Sequence, residues 1–497
     1  MSDETTEDLL IEARRDKHRA LLGDAGYPHR FERTDHAADL HNRYSELGPG
    51  SETPDRVTVA GRLMLHRSFG RLQFGTIQDG SGTIQLLVDQ SVSGDANAQM
   101  FADLDLGDWV GATGSVMTTK RGELSVRVDE LTLLQKSLRP MPDKWHGLVD
   151  VESRSRRRYV DLMVNDEART VALTRAKVVS ELRRQFESRG FVEVETPVLL
   201  TQATGALARP FTTHHNALDL ELQMRIATEL HLKRLVVGGI ERVFEIGRIF
   251  RNEGIDATHN PEFTMLEAYQ ALADYTDIMK LVEEVMTAVA VAATGGPDIT
   301  YQGRELSLAP PFARIDLIQA VSRFVGEGVS LDTDPATLQK MLADRSHPAG
   351  EGEGAGALLF DLYELALREI WEPTFITDFP TEVSPLSRQR RDDPGLTERF
   401  ELVIAGAEYC NAFSELNDPD LQRQRFEEQA AARLRGDEEA HPIDEDYLTA
   451  LEYGLPPTGG LGIGVDRLVM LLTDQAHIRE VILFPTLRPE PREGEEV

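Results

Sequence analysis

The stretch FRNEGIDATHNPEFTMLE, Phe250 to Glu267, sets a cation, Arg251, close to an anion, Glu253, and follows them with a turn-rich run and then His259, Asn260 and Phe263. The residues before it, RVFEIGRIF, read as a strand, and so does TMLEAYQ, where Glu267 and Tyr269 share a face by the two-residue period of extended chain. The same period puts Arg251 and Glu253 on one face of the first strand. A long antiparallel hairpin is therefore expected, with GIDATHNP as its loop and charged side chains turned to one side. Charges of this kind ordinarily pair on a solvated sheet face, where a pair contributes ~0–1 kcal/mol.

Further along, ERFELVIAGAEYCNAFSELND, Glu398 to Asp418, repeats that logic. Glu401 and Glu408 flank a predicted turn at Ala405 and Gly406, and Asn411, Phe413 and Glu415 fall on one strand face. A carboxamide, an aromatic ring and a carboxylate between apolar neighbours need a cationic partner, because an unpaired buried charge costs several kcal/mol. Glu401 and Glu408 are hard oxygen donors of the kind Mg²⁺ takes when it also holds phosphates. Glu267 and Glu415 suit an ammonium group, with Tyr269 and Phe413 packing along its alkyl stem. Then GGLGIGVDRLVMLLTD, Gly459 to Asp474, joins a glycine-rich strand end to an apolar-periodic helix with Arg467 in its first turn, a place to meet phosphate. The spacing fits neither a Rossmann fingerprint nor a P-loop, so nucleotide chemistry here relies on arginines and carboxylates on an antiparallel sheet.

The whole chain sets the limits. Its 497 residues allow at least two domains, and 41% hydrophobic content is ordinary for a globular protein. No run of eighteen apolar residues occurs and the first twenty residues lack an apolar signal core, so neither a membrane span nor secretion is expected. One cysteine, Cys410, excludes an intrachain disulfide and fits a reducing, cytoplasmic setting. A net charge of −31 argues against a nonspecific nucleic-acid coater, while leaving room for a local binding face.

Residues 1–56 read as an N-terminal arm beginning with a solvated helix. From Val57 to about residue 140, short alternating runs split by Gly, Asp and Ser, with DGSG as a hairpin tip, predict a five-stranded barrel of the oligonucleotide-binding (OB) type. Acidic and basic side chains nearly balance there. Phe74 reads as a nucleobase stacker or, about equally, as a barrel-core aromatic. Residues 141–164, with two prolines and an arginine cluster, read as a linker, and 165–497 as a mixed domain with an insertion at about 295–360, where SHPAGEGEGAG is a flexible connection. The predicted class is α+β, a small barrel followed by a mainly antiparallel sheet flanked by helices. There is no internal repeat.

Three segments resemble the three signature motifs of class II aminoacyl-tRNA synthetases: RGFVEVETPVL around Pro197, FRNEGIDATHNPEFTMLE, and GLGIGVDRLVML. The second motif points to the aspartate, asparagine and lysine subgroup, and FITDFPTEVSPL with NAFSELND narrows the resemblance to the lysyl-tRNA synthetase family over nearly the whole length. The resemblance implies ATP-dependent attachment of L-lysine to tRNA(Lys) through a lysyl-adenylate, with Mg²⁺ as cofactor, in a cytoplasmic homodimer that contacts no membrane. It implies that Arg251 and Arg467 are catalytic, and that Arg251, Glu253, His259, Asn260, Phe263, Glu401 and Arg467 bind ATP. Glu401 and Glu408 hold the metal by the same inference. Gly205, Glu229, Glu267, Tyr269, Asn411, Phe413 and Glu415 bind lysine; Arg67, Phe74, Gln85 and Glu123 contact the anticodon; and Pro197 lies in the dimer interface.

Thr204, Thr228 and His231 depart from the family pattern beside the expected α-amino pocket. Two rival readings remain at this stage. A noncatalytic sensor of lysine or tRNA predicts loss of Arg251, Arg467 or the metal carboxylates, which are all present, and a paralogue that lysylates a protein predicts a chain without the barrel.

Overall fold

The computed structural model describes residues 6–23, 26–142, 148, 150–206, 208–350, 353–434 and 443–490. They form two compact units, Met1–Gly147 and Leu148–Val497. The expected linker falls partly on 143–147 and 149, and the expected connection 346–356 partly on 351–352; those positions lie outside the described residues.

The first unit begins with a helix, Thr6–Leu22, that buries none of its side chains, as its charge pattern predicts. Five strands follow: β1 (Glu52–Phe69), β2 (Leu72–Gln78), β3 (Thr83–Asp89), β4 (Trp109–Thr118) and β5 (Leu124–Gln135). They close into a barrel in the order β1-β2-β3-β5-β4, with β4 antiparallel to β1, which leaves no open sheet edge. Alternate residues, among them Leu63, Ile77, Leu86, Val88, Val110, Val126 and Val128, fill the interior. The hairpin tip is at DGSG, where the Asp79 carboxylate accepts the N–H groups of Ser81 and Gly82 at 2.7 and 3.0 Å. β1 starts at Glu52 rather than Val57, because the polar run before Val57 already pairs with β4.

The second unit is built on an eight-stranded sheet. Its strands, in chain order with the smaller sheets interleaved, are β6 (Val192–Glu193), β7 (Leu199–Leu200), β8 (Thr212–His215), β9 (Leu220–Met224), β10 (Arg242–Phe250), β11 (Glu262–Ala271), β12 (Asp298–Tyr301), β13 (Arg304–Ser307), β14 (Ala313–Asp316), β15 (Thr374–Thr377), β16 (Arg399–Ile404), β17 (Ala407–Ser414) and β18 (Thr458–Gly464). The main sheet runs β14-β15-β16-β17-β18-β11-β10-β6 and is antiparallel except for the edge pairs β14–β15 and β10–β6. Helices Asp166–Glu187 and Tyr275–Thr294 cover one face, burying Val178, Leu182, Phe186, Val282, Val285 and Met286 against Phe244, Leu266, Leu402 and Ile463. The second helix is delimited by its own sequence: Asp274 and Asp277 form a reciprocal cap at the start, and Gly295, at φ 91°, ends it.

Three expectations are corrected. β10 ends at Phe250, so Arg251 and Glu253 do not share a strand face: the Arg251 N–H still reaches Pro261 O at 2.9 Å, but Glu253 N–H then turns back onto Arg251 O. Residues 151–164, read as linker, form two short helices, Val151–Arg156 and Arg158–Val164, pinned by the buried pair of Arg158 and Asp161 at 2.6 Å. The stretch 295–360 is not wholly peripheral, since it supplies β14 to the edge of the main sheet.

Candidate active site

The open face of the main sheet carries the candidate site in two rows. Strand pairing aligns Glu401 on β16, Asn411 on β17, Gly462 on β18 and Glu267 on β11 across four strands. The next row aligns Arg399, Phe413, Gly460 and Tyr269. In these rows the middle strand presents Gly460 and Gly462 to this face, and the absent side chains leave a trough between β17 and β11. A Cβ on Gly460 would collide with Glu415 Oε1 and the Tyr269 ring. Around the trough lies a cavity of about 600 Å³. All fifteen expected ATP, lysine and metal residues of this unit line it: Gly205, Glu229, Arg251, Glu253, His259, Asn260, Phe263, Glu267, Tyr269, Glu401, Glu408, Asn411, Phe413, Glu415 and Arg467.

At one end the guanidinium of Arg251, a lining residue of the cavity, sits 5.3 Å from the centre of the Phe263 ring. Arg467 donates to Glu408 O at 2.9 Å, and its other terminal nitrogen lies 3.2 Å from His259 Nε2. The first turn of helix Val465–Leu472 is fixed by Asp466, which accepts from Thr264 N–H at 2.6 Å and from Arg175 at 2.5 Å. Glu253 is exposed on the cavity rim. Asn260 is buried; its amide donates to Glu262 O at 2.6 Å, and among the described residues its Oδ1 has no hydrogen-bond partner.

Glu401 and Glu408 stand on either side of the tight turn Ala405–Gly406, whose φ values of 48° and 76° are those of a two-residue hairpin. Glu401 is held from behind: Arg399 donates to Oε1 at 2.6 Å and the Tyr363 hydroxyl to Oε2 at 2.8 Å. Burial and then the neighbouring Glu408 push the Glu401 carboxyl up to about 7. Two oxygen donors repelling one another beside an arginine-rich, phosphate-sized cavity fit Mg²⁺, which takes one or two carboxylates and completes its shell with phosphate and water. Arg399 also donates to Asn411 Oδ1 at 3.1 Å, so one guanidinium orients residues on both strands, β16 and β17, that flank the trough on one side.

At the other end three carboxylates converge. Glu229 opens helix Glu229–Val237; Glu267 accepts from Thr228 N–H at 3.1 Å; and Glu415, 1% exposed, leaves Oε1 without a hydrogen-bond partner among the described residues. Burial, then repulsion from Glu229, raise Glu267 to about 7. The sequence reading asked for a cation here, and the structure supplies one that it missed. Lys233, wholly buried, pairs with Glu229 at 2.5 Å and with Glu415, its Nζ 5.5–5.9 Å from the rings of Phe413, Tyr269 and Tyr447. Burial opposes its charge, but the two carboxylates prevail and its pKa is raised. The signal was legible, an acid and a lysine at i and i+4 on one helix. Gly205, at φ 97°, takes the tight bend beside Glu229. Of the departures from the family pattern, Thr228 contributes its backbone N–H to Glu267, and Thr204 donates to Asp444 at 3.0 Å.

On the barrel, Arg67 of β1 lies opposite Phe74 of β2, and Gln85 of β3 lies opposite Thr76, on the outer face. Phe74 is half-buried there, edge-on to Phe69, and is not a core residue. Gln85 also neighbours Ser125 on β5, two residues beyond Glu123. Pro197 is exposed next to two exposed apolar residues, Val198 and Leu199.

The family described as tRNA synthetases class II (D, K and N) matches residues 150–488, and the OB-fold nucleic acid binding domain of the tRNA anticodon family matches 57–134. A protein of Thermosynechococcus vestitus named "Lysine--tRNA ligase" is 51% identical over 481 residues, 95% of each chain. Proteins of the same name from a Synechococcus strain and from Nostoc punctiforme are each 50% identical, covering 98% of this chain and 97% and 89% of their own. With its two-row site on an antiparallel sheet and this likeness along nearly its full length, the chain belongs to the class II tRNA synthetases of the D, K and N group and, within it, to the lysine--tRNA ligases.

Proposed function

We propose that this chain activates L-lysine with ATP and passes the lysyl group to the 3′ end of tRNA(Lys). The observation that carries the reading is Glu415: a fully buried carboxylate with an unpartnered oxygen, beside Glu267, at the closed end of a cavity whose open end is lined by arginines. A long side chain tipped with an ammonium group meets that demand. A neutral side chain leaves Glu267 and the free oxygen of Glu415 without a cation in the slot, a difference worth a discrimination of roughly 10⁴ or more.

In the first step the lysine carboxylate attacks the α-phosphorus and pyrophosphate leaves. In the second the terminal ribose hydroxyl of the tRNA attacks the activated carbonyl and AMP leaves. No side chain is consumed. Arg251, next to the Phe263 ring, holds the α-phosphate and the amino acid carboxylate in line; Phe263 and Arg467 take opposite faces of adenine; and His259 with Arg467 holds the outer phosphates, while Glu253 and Asn260 border the base. Fixed donors placed where charge develops supply the acceleration. Glu229 and Gly205 receive the α-ammonium, Asn411 the carboxylate, and Glu267, Tyr269 and Glu415 the ε-ammonium. Glu401 and Glu408 hold Mg²⁺, which supplies neutralisation of phosphate charge when bound.

The barrel reads the anticodon, with Phe74 stacking on a base and Gln85, Arg67 and Glu123 around it; a stacked base contributes about 1–3 kcal/mol. Two copies associate through the segment of Pro197, Val198 and Leu199, whose exposed apolar side chains favour coverage. No described helix is long and apolar enough to cross a membrane, and the enzyme works in the cytoplasm. Charging of purified tRNA(Lys) with lysine tests the whole reading. Lysine acceptance that drops when the anticodon is changed supports it, and charging of another tRNA in preference contradicts it.

A further inference from the structure

Lys233 belongs to none of the contacts just described. It does not line the cavity; it lies behind the wall, wholly buried, and grips from the rear two of the carboxylates that face lysine, Glu229 and Glu415. We propose that Lys233 is a positioning residue that sets the charge of the lysine slot: paired from behind with Glu229 and Glu415, it favours their ionised forms and holds them to receive the α- and ε-ammonium groups of lysine.

The surroundings make this more than packing. The charged and titratable groups facing Glu415, just past the end of β17, come from three elements: Lys233 and Glu229 on helix Glu229–Val237, Glu267 and Tyr269 on β11, and Tyr447 on helix Glu445–Glu452. Among these groups of the described residues Lys233 is the cation paired with Glu415, and Arg251 lowers Glu267. Three rings within 6 Å of its Nζ shield it from water, and its stem on the helix fixes its height. Without it, three carboxylates crowd a dry pocket, and burial with mutual repulsion drives protons onto them. A protonated Glu415 no longer requires a charged partner, so affinity for lysine and rejection of its neutral analogue decline together.

This rests on the lysine-activating reading above, and the test separates the two. Lysine-dependent ATP–pyrophosphate exchange is measured for the full chain and for Lys233→Met across pH, with lysine and with norleucine. Absence of lysine-dependent exchange in the unsubstituted protein overturns the reading on which the proposal rests. Given that activity, Lys233→Met is expected to raise KM for lysine about 30-fold near neutral pH, leave KM for ATP within about twofold, and move the rising limb of kcat/KM for lysine about one pH unit upward. Lys233→Arg, which keeps the charge, restores most of the discrimination against norleucine. A lysine KM within about threefold of the original, or a loss shared by ATP with an unmoved pH limb, overturns the proposal in favour of a packing role. If Lys233→Met does not fold, the charge-balanced Lys233→Met/Glu415→Gln variant decides. The proposal predicts lysine kcat/KM within about fivefold of Glu415→Gln alone, and a further large, additive loss contradicts it.

Discussion

Arg467 and His259, 208 residues apart in the chain, meet at 3.2 Å. His259 Nδ1 also lies 2.8 Å from Asp256 Oδ2, so the ring donates there and accepts from the guanidinium at Nε2. Asp256 thereby orients the ring toward the guanidinium. One contact thus ties the β10–β11 loop to the start of helix Val465–Leu472, across the mouth proposed for the phosphates. Replacing His259 with Ala removes the acceptor, and KM for ATP is predicted to rise about tenfold, ~1.4 kcal/mol, with KM for lysine unchanged. Initial-rate kinetics with each substrate varied in turn checks it.

Glu267 predicts a pH dependence. Its folded-state pKa of about 7 lies above the ordinary 4.5, so the stability it contributes while neutral is present at low pH and is lost as pH rises through about 7. Lysine needs the ionised form. Below about pH 7 its affinity is therefore expected to rise close to tenfold per pH unit, levelling off above, and thermal unfolding is expected to show lysine stabilising the protein more at pH 8 than at pH 6.

Arg399 is another buried cation whose loss leaves an acid, Glu401, without its cation. Arg399→Met strands Glu401 and frees Asn411, with an expected cost of about 3–5 kcal/mol in unfolding free energy. Denaturant titration reads this directly, and a loss below ~1 kcal/mol would show that Tyr363 alone suffices to satisfy Glu401.

Gly460 keeps the trough open. A methyl group there meets Glu415 Oε1 and the Tyr269 ring, so Gly460→Ala is predicted to weaken lysine binding by roughly tenfold or more, while ATP binding at the far end of the cavity stays within about twofold. Isothermal titration with each ligand separates the two effects.

On the barrel, Phe74→Ala is expected to raise KM for tRNA by about 1–3 kcal/mol equivalent, without changing exchange measured in the absence of tRNA. Loss of exchange in that variant would mean that Phe74 supports the fold rather than the tRNA.

Much of this arrangement was legible because it follows the period of two. Glu267 with Tyr269, and Asn411 with Phe413, could be assigned to one face from spacing alone, and the Ala405–Gly406 turn followed from its residues. The reading went wrong where regular structure stops. Nothing in FRNEG marks Phe250 as the last strand residue, since that depends on how Pro261 and Ile226 meet Arg251. The buried cations were missed for a related reason: the i, i+4 spacing of Glu229 and Lys233 shows a pair but not its burial, and Arg399 looks like a surface charge until the sheet places Glu401 beside it. Arg158 was read as linker for the same cause.

The most direct test is ATP–pyrophosphate exchange with each of the twenty amino acids. The account predicts exchange with lysine alone, abolished by Arg251→Ala and reduced about 10³-fold or more by Glu415→Gln, the scale expected when a buried ammonium loses its charged partner. Exchange with aspartate or asparagine, or none with lysine in a folded protein that binds ATP, would contradict it.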